Sequence, residues 1–414
     1  MPVLQNISQL ALCPPDGAQS DAGLVSDAAL VWQGDKIVWV GARCELPGEF
    51  SSEPVTDCGG RLVIPGLVDC HTHLCFGGWR GEEFALRLRG ASYQEIAQSG
   101  GGIMSTVSAT RSASIDSLVQ KSRKHLDAML RLGITTVECK SGYGLDLDGE
   151  LKQLEVYRQL SAQHCMTLVP TFLGAHVVPR EFQGNRSGYV QLICENLIPA
   201  ISNRKLARFC DIFIEEGAFN LAEARQVLTI AKLHGMGLKI HADQLSNGGG
   251  ALLAAELHAV SAEHLEYVAP EGILALARAG VVAVSLPLAS LYLRERYLPA
   301  RQMLDAGVLV AVATDFNPGS APSYHLPLAM TIACLNQGMY PAEVLMGATT
   351  IAARAVGMHG IVGSLQPGHK ADISVIDAAS LDQWLYHFTD NSCVGVVKNG
   401  EWSHLQAGSG LNSR

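Results

Sequence analysis

Eight short apolar segments alternate with amphipathic stretches between residues 61 and 361 of this 414-residue chain. Segments that are apolar throughout are typical of parallel strands covered on both faces, and the stretches between them have the period of α-helices. Eight strand–helix units predict an α/β fold, a closed (β/α)8 TIM barrel, whose active site is expected at the carboxyl ends of the strands. The predicted strands are 62–73, 134–140, 167–175, 210–215, 238–242, 259–264, 281–286 and 308–315, and the helical stretches after the eighth strand are 326–336 and 341–356.

Both ends of the chain have strand patterns without a long helical period. Residues 28–41 have the pattern of a β-hairpin, and residues 368–377 have that of a further strand. We therefore predict that residues 1–60 and 362–414 form one small, discontinuous, β-sandwich-like domain beside a barrel of residues 61–361.

Composition restricts the partners and the compartment. The net charge of −9 argues against a general affinity for nucleic acid or an anionic membrane, so an anionic substrate needs a local cationic group. Eleven cysteines without a CxxC pair are typical of a reduced protein. The chain has no signal-peptide pattern and no apolar run of the roughly 18 residues that a membrane span requires. We expect a soluble cytoplasmic protein with no nucleic-acid and no membrane partner.

Histidines mark the ends of the predicted strands. His71 and His73 are spaced i, i+2, so their side chains point to the same side of a strand and can bind one metal ion. His176, His241 and His264 end or follow three other strands. A single histidine at a strand end is most often a satisfied polar residue. Five of fourteen histidines in such positions favour a functional site.

Three of these imidazoles combine with a carboxylate at the end of the eighth strand. Three imidazoles and one carboxylate suit a divalent zinc or iron ion and leave a position for water. The ion would lower the pKa of that water, and a nearby carboxylate would accept its proton. The predicted metal ligands are His71, His73, His241 and Asp315.

These residues carry a resemblance to the amidohydrolase superfamily. The segments PGLVDCHTH (65–73) and GHKADISVID (368–377), the histidines on strands 5 and 6, and the aspartate on strand 8 match its pattern. Binuclear members carry a carboxylated lysine at the end of strand 4, and strand 4 of this chain has no lysine. The resemblance therefore implies one divalent metal ion, and Lys140, at the end of strand 2, is interpreted as an ion-pair partner.

Four longer motifs are similar to the imidazolonepropionase family within that superfamily. They are KSGYGL (140–145), FLGAHVVP (172–179), HADQLSNGGGALLAAEL (241–257) and TDFNPGSAP (314–322). The resemblance implies hydrolysis of the cyclic amide of 4-imidazolone-5-propanoate to N-formimidoyl-L-glutamate, a step of histidine degradation. It also implies a small-molecule substrate with a carboxylate, and a homodimer, which is common among the relatives.

The same resemblance implies roles for the residues around the metal. Arg80 matches the family's substrate-binding arginine and would hold the propionate carboxylate. Because Gln244 cannot act as a base, Asp315 and His264 are the predicted catalytic residues. The predicted substrate-binding residues are Arg80, Tyr143, His176, Gln244, Asn317, Gly319 and Ser320.

Two other functions stay open at this level. A mononuclear-metal aminohydrolase of the same superfamily, such as a deaminase of guanine or cytosine, would use the same metal ligands, and Arg80 argues against it. A non-catalytic barrel scaffold would be expected to have lost ligands, whereas all four are present. The glycines at 100–102 suit a mobile loop that acts as a lid or a plain linker equally well.

Overall fold

The structure, a computed structural model, describes residues 1–90 and 101–411, which form two β-sheets and the helices that cover them. The first strands are β1 (Val3–Ala11), β2 (Leu24–Gln33), β3 (Lys36–Ala42) and β4 (Val55–Pro65). The barrel strands are β5 (Leu67–Asp69), β6 (Ile134–Lys140), β7 (Thr167–Ala175), β8 (Phe209–Ile212), β9 (Gly237–Ala242), β10 (Ser261–His264), β11 (Val282–Ser285) and β12 (Val310–Val312). The last strands are β13 (Ile373–Ile376), β14 (Cys393–Lys398) and β15 (Glu401–Leu405).

The predicted (β/α)8 barrel is confirmed. Strands β5 to β12 follow one another in sequence order in one sheet, and each neighbouring pair is parallel. The barrel closes just beyond β5 and β12, where the Asp315 backbone N–H donates to the His71 carbonyl at 3.0 Å. The His73 backbone N–H donates to the Phe316 carbonyl at 2.8 Å. The seam of the barrel therefore passes through the residues predicted to bind metal.

Helices cover the outside of the barrel and fill the connections between strands. The predicted helix over 341–356 is wrong in one respect, because the backbone of Thr349 (φ −131°, ψ −97°) divides it into two. No helix within residues 1–90 and 101–411 is long and apolar enough to cross a bilayer. The helices are α1 (Gly81–Leu88), α2 (Ile103–Ser112), α3 (Ile115–Arg131), α4 (Leu147–Gln163), α5 (Arg186–Leu192), α6 (Ile198–Asn203), α7 (Leu221–Leu233), α8 (Gly250–Leu257), α9 (Pro270–Ala279), α10 (Pro287–Leu293), α11 (Ala300–Asp305), α12 (Leu326–Gln337), α13 (Pro341–Gly347), α14 (Thr350–Ala355) and α15 (Leu381–Tyr386).

The first predicted strand, 62–73, is divided between the two sheets. Residues up to Pro65 belong to β4, and β5 begins at Leu67. Gly66 makes the transition: its N–H donates to the Asp372 carbonyl at 2.8 Å, whereas Leu67 N–H donates to the Gly133 carbonyl at 2.9 Å. A Cβ on Gly66 would lie 2.4 Å from the side chain of Thr135. The close approach of the barrel therefore requires glycine here.

The remaining strands form a seven-stranded sheet in the order β15-β14-β13-β4-β1-β2-β3, made from both ends of the chain. Strand β2 of this sheet contacts the turn between β14 and β15, since the Trp32 indole N–H donates to the Gly400 carbonyl at 2.8 Å. One set of its apolar side chains forms a separate core, and another, including Leu62 and Ile64, joins the core of the barrel. β4 runs past the predicted domain limit at residue 60, and the division into 1–60, 61–361 and 362–414 stays a prediction.

A buried ion pair within this sheet contacts the barrel through its lysine. The Lys398 ammonium lies 2.6 Å from Asp372 Oδ2 and donates to Thr167 Oγ1, at the start of β7, at 2.9 Å. The two charged side chains are 0% and 1% exposed. Because a buried carboxylate without its partner is costly, this pair constrains how the sheet sits on the barrel.

We expect Lys398→Met to reduce the free energy of unfolding by about 3–5 kcal/mol, because it leaves the Asp372 carboxylate buried and uncompensated. Urea unfolding followed by circular dichroism measures the change. Lys370→Met is the matched control, since its pair with Asp35 is partly exposed and is expected to contribute less than about 1 kcal/mol. An equal loss in the two variants would contradict the importance of the buried pair.

Candidate active site

The carboxyl ends of the barrel strands bring five predicted residues together. His71 and His73 follow β5, His241 lies near the end of β9, and His264 is the last residue of β10. Asp315 follows β12. All five residues are buried, with exposed fractions between 0% and 3%. The backbones of His264 (φ +76°) and Asp315 (φ +55°) are left-handed, a strained conformation for residues other than glycine.

The ligand atoms of these residues converge. Asp315 Oδ1 lies 3.4 Å from His71 Nε2 and 3.4 Å from His73 Nε2. The ring of His241 lies 4.6 Å from that of His71, between ring centres. Among the described residues, four groups of potential ligands have their ligand atoms within 4.8 Å of one another, and two of these groups contain only residues predicted from the sequence: His71, His73 and Asp315, and His71, His241 and His264.

Buried nitrogen atoms in this cluster fit a metal site. Within the part of the chain that the structure describes, both ring nitrogens of His71 and both of His241 are buried and make no hydrogen bond. Leaving such atoms unsatisfied is costly unless they bind an ion. Imidazole nitrogens and a carboxylate oxygen are the donors that Zn²⁺ and Fe²⁺ accept. The donor set present here therefore fits a divalent metal.

The opposite edges of two histidines face carboxylates that the sequence did not lead us to expect. His71 Nδ1 lies 2.8 Å from Glu263 Oε2, and His241 Nδ1 lies 3.0 Å from Asp211 Oδ2. Both carboxylates are completely buried. Each points to the side of the imidazole away from the convergent Nε2 atoms.

A cluster of buried charges lies beneath the histidines. Lys140 Nζ lies 2.7 Å from Asp211, 2.9 Å from Glu263 and 3.0 Å from Glu138, which agrees with its interpretation as an ion-pair partner. Lys239 Nζ lies 2.8 Å from Glu263 and 3.3 Å from Glu138. Burial alone would lower the pKa of Lys140, but the three carboxylates raise it well above its usual range. The lysine is therefore charged at neutral pH.

The signal for this cluster was present in the sequence. Charged residues occur inside apolar strands, in ITTVECK (134–140) and GLKIHA (237–242), at alternating positions. In a half-exposed strand that alternation indicates a solvent face, but a barrel strand has no such face. The side chains must then point into the barrel.

Asp315 is held by the loop that follows it. Asn317 Nδ2 donates to the Asp315 carbonyl at 2.7 Å, and its Oδ1 accepts from the backbone N–H groups of Gly319 (2.7 Å) and Ser320 (2.8 Å). The Ser320 hydroxyl lies 3.4 Å from Asp315 Oδ2. Burial would raise the pKa of Asp315, but contacts with His71 and His73 hold it well below its usual range. Asp315 is thus an ionised carboxylate.

Arg80 lies across the same loop. Its Nε donates to the Pro318 carbonyl at 3.5 Å, and its side chain is 16% exposed. A Cβ on Gly319 would lie 1.1 Å from Arg80 Nη2, so only glycine leaves room for the guanidinium. Arg80 and the loop 317–320 therefore form one wall of the cavity.

Tyr143 and His176 form another part of the cavity lining. The rings of His176 and His73 stack with their centres 5.3 Å apart, and the Tyr143 ring lies 5.5 Å from His176. His176 Nδ1 lies 3.0 Å from the Gly142 carbonyl, which can only accept, so Nδ1 carries the proton. Burial, and then the neighbouring His73, lowers the pKa of His176 to about 3. The ring is neutral, so its Nε2 carries a lone pair that can accept a hydrogen bond.

Two carboxylates shape the loops that carry the remaining rim residues. The buried Glu150 accepts from the backbone N–H groups of Gly142 (3.2 Å), Gly144 (2.9 Å) and Leu145 (2.8 Å), and so folds the loop around Tyr143. Glu215 accepts from the Leu245 N–H at 2.9 Å and fixes the chain next to the half-buried Gln244.

One cavity joins these residues. Ile103 and Phe213 also line it, and the sequence analysis missed both because apolar residues at a rim look like core residues. Gly319 lies behind the wall, against Arg80. Of the glycines predicted as a lid or linker, Gly100 lies outside the described residues, and Gly102 precedes α2 with its N–H donating to Glu83 at 2.8 Å. The lining residues are His73, Arg80, Ile103, Tyr143, His176, Phe213, His241, Gln244, His264, Asp315, Asn317 and Ser320.

Comparison with known proteins identifies the family. A family model described as the amidohydrolase family matches residues 62–403. An imidazolonepropionase of Symbiobacterium thermophilum is 48% identical over 385 residues, covering 92% of this chain and 91% of the relative. An imidazolonepropionase of Geobacillus thermodenitrificans is 45% identical over 386 residues, with coverages of 92% and 91%. The chain therefore belongs to the amidohydrolase family and, within it, to the imidazolonepropionases.

Solved structures agree on the fold. An adenosine deaminase from Xanthomonas campestris with bound zinc aligns with a TM-score of 0.73 at 18% identity, over 98% of this chain and 93% of that one. An atrazine chlorohydrolase from Arthrobacter aurescens, complexed with zinc, aligns with a TM-score of 0.74 at 17% identity, over 98% and 96%. At these identities the likeness concerns the barrel and its accompanying sheet alone.

We expect His176 to stay neutral, with the proton on Nδ1, from about pH 8 to about pH 5. The folded protein holds the pKa of His176 near 3, whereas in the unfolded chain this histidine takes up a proton below roughly pH 6.5. Because only the unfolded chain gains the proton, His176 destabilises the fold as the pH falls from about 6.5 to about 3. Nitrogen chemical shifts of the imidazole measure the protonation, with His176→Gln to assign the signal. A titration midpoint near pH 6.5 would contradict the expectation.

Proposed function

We propose that this protein is a metal-dependent hydrolase that opens the cyclic amide of 4-imidazolone-5-propanoate to give N-formimidoyl-L-glutamate in histidine degradation. The observation that carries the proposal is that Arg80 lies in the same cavity as the convergent histidines and Asp315. A substrate with a carboxylate at one end and a hydrolysable amide at the other matches that pair of features. Relatives of 45–48% identity named imidazolonepropionase support it.

One divalent ion, zinc or iron, is the proposed cofactor, held by His71, His73, His241 and Asp315. Bound there, it would act as a Lewis acid that polarises the ring carbonyl and lowers the pKa of water. The charge balance supports a single ion. The cluster beneath the site has three carboxylates and two lysines, so with Asp315 the lysines leave two negative charges, which one divalent ion with neutral histidine ligands would balance.

The side chains of the cavity divide the work of binding. Arg80 would hold the propionate carboxylate through charge-assisted hydrogen bonds. His176 offers Nε2 as an acceptor for a ring N–H, and Tyr143 is the adjacent donor or acceptor in the same part of the lining. Gln244, Asn317 and Ser320 would complete the contacts through two amides and a hydroxyl, and Gly319, proposed from the sequence as a substrate-binding residue, would contribute by leaving room for Arg80. These contacts hold the ring carbonyl towards the metal ligands, which is a positioning contribution.

Asp315 and His264 are the proposed catalytic residues. Asp315 accepts the proton of the attacking water, and the Ser320 hydroxyl donates to its Oδ2 at 3.4 Å. His264 stabilises the charge that develops on the carbonyl oxygen. His264 Nδ1 lies 3.5 Å from Glu266 Oε1, at ion-pair distance. Transfer of the proton to the ring nitrogen then completes cleavage of the amide bond.

An assay separates this proposal from its alternatives. Loss of the ultraviolet absorption of the imidazolone without release of ammonia supports ring opening, whereas ammonia release from a guanine- or cytosine-type ring supports the aminohydrolase. Absence of turnover together with absence of bound metal would support a scaffold protein. Cytoplasmic localisation and a homodimer also stay predictions, and light scattering on the purified protein tests the dimer.

We expect elemental analysis of the purified protein to find about one zinc or iron ion per chain, and removal by a chelator to abolish turnover. Activity returns on addition of Zn²⁺, or of Fe²⁺ without oxygen. Full turnover in protein free of metal would overturn the metal-dependent mechanism.

We expect Arg80→Ala to weaken substrate binding by about 1.5–3 kcal/mol, roughly a ten- to hundred-fold increase in KM, because the carboxylate loses its cation. Steady-state kinetics measure it, and kcat changes less. Arg158→Ala, an exposed arginine paired with Glu155, is the control with an unchanged KM. An unchanged KM in Arg80→Ala would remove Arg80 from the carboxylate site.

We expect Asp315→Asn to lower kcat by about 10²–10⁴-fold, because an amide cannot accept the proton of water. Metal content must be measured with the kinetics, since the residue is also a proposed ligand. A variant that retains both metal and the parental turnover would show that another group is the base.

A further inference from the structure

We propose that Asp211 and Glu263 are positioning residues of the metal centre, which hold the Nδ1 edges of His241 and His71 so that the Nε2 edges face the ion. This inference rests on the metal site of the proposed function and extends it, because neither carboxylate lines the cavity. Both act through a histidine and not on the substrate.

The Lys140 ammonium contacts the same two oxygen atoms that face the histidines. Its Nζ lies 2.7 Å from Asp211 Oδ2, and that oxygen lies 3.0 Å from His241 Nδ1. The Lys140 Nζ also lies 2.9 Å from Glu263 Oε2, and that oxygen lies 2.8 Å from His71 Nδ1. One cation therefore fixes both carboxylate oxygens, and through them the orientation of both imidazoles.

The second oxygen of each carboxylate is also held. Asp211 Oδ1 accepts from the backbone N–H of Ile212 at 2.8 Å. Glu263 Oε1 lies 2.8 Å from Lys239 Nζ and accepts from the Ser261 hydroxyl at 2.9 Å. Neither carboxylate can rotate without giving up a buried contact, and buried charges that lose a partner are costly.

The chemistry of imidazole explains why this arrangement serves a metal. A neutral imidazole carries one proton and one lone pair, and a carboxylate facing Nδ1 favours the proton at that position. The lone pair is then on Nε2. Among the described residues both ring nitrogens of His71 and of His241 are buried without a hydrogen bond, and each Nδ1 has a carboxylate within ion-pair distance, Glu263 at 2.8 Å and Asp211 at 3.0 Å. A partner of this kind also raises the basicity of the ligand and fixes its ring.

The test measures zinc affinity of the full chain by competition with a chromophoric chelator. Asp211→Asn and Glu263→Gln are each expected to bind Zn²⁺ about 10- to 100-fold more weakly than the parent protein. Cobalt substitution adds a signature of geometry, because the visible absorption of Co²⁺ changes when its ligands are displaced. A contact that only stabilised the fold would leave both readings unchanged in folded protein.

Glu138→Gln is the matched control. Glu138 belongs to the same cluster, and among the described residues its ion pairs are with Lys140 (3.0 Å) and Lys239 (3.3 Å). Its substitution removes the same charge from the cluster without removing a contact to a histidine edge. We expect its zinc affinity to stay within about threefold of the parent value.

The outcomes are separable. Weaker zinc binding in Asp211→Asn and Glu263→Gln, but not in Glu138→Gln, supports the proposal. Parental affinity in folded Asp211→Asn overturns it, as does an equal loss in all three variants, which would assign the cluster to charge balance alone. If Glu263→Gln fails to fold, Asp211→Asn decides the result. Absence of metal binding and turnover in the parent protein would instead contradict the proposed function.

Discussion

The Lys140 ammonium is the constraint on which the barrel interior depends. It contacts carboxylates from three strands, β6, β8 and β10, at the centre of a chain whose residues are only 17% charged. The aliphatic layers usual in a barrel of this kind give way here to an ionic layer. Because each charge in that layer is buried, each needs its partners in place. The strands that supply them are thereby fixed in register, and the histidines above them have a rigid base.

Above that base, the metal ligands are positioned by strand ends, whereas the rim residues are positioned by loops. The histidines and Asp315 come directly from strand ends, so the barrel itself sets their positions. The rim loops have no such support, and carboxylates that never enter the cavity fold them instead: Glu150 gathers the loop around Tyr143, and Glu215 holds the one beside Gln244. Substrate contacts can thus vary by loop while the metal ligands stay unchanged, a division typical of this fold.

Much of this architecture could be predicted from the sequence because parallel strands place polar residues at predictable ends. Strands β6 and β7 were predicted to the residue. The passage from β4 to β5 was missed because one apolar run continues across Gly66, and periodicity does not record which sheet a strand joins. The partners of the histidines were missed for a similar reason. A charge inside a strand indicates either a solvent face or a buried pair, and only the closed barrel decides between them.

Gly66 links the seven-stranded sheet directly to the barrel strand that precedes the proposed metal ligands. β4 is paired on both sides within that sheet, to β1 and β13, and only Gly66 separates it from β5. His71 lies two residues beyond the end of β5. The amino-terminal end of β5, the strand that precedes His71 and His73, is therefore held in place by a sheet assembled from both ends of the chain. A barrel separated from its terminal strands would lose that support. The last strands, β13 to β15, are far from the first ligands in sequence, and β5 is fully supported only after they have been synthesised.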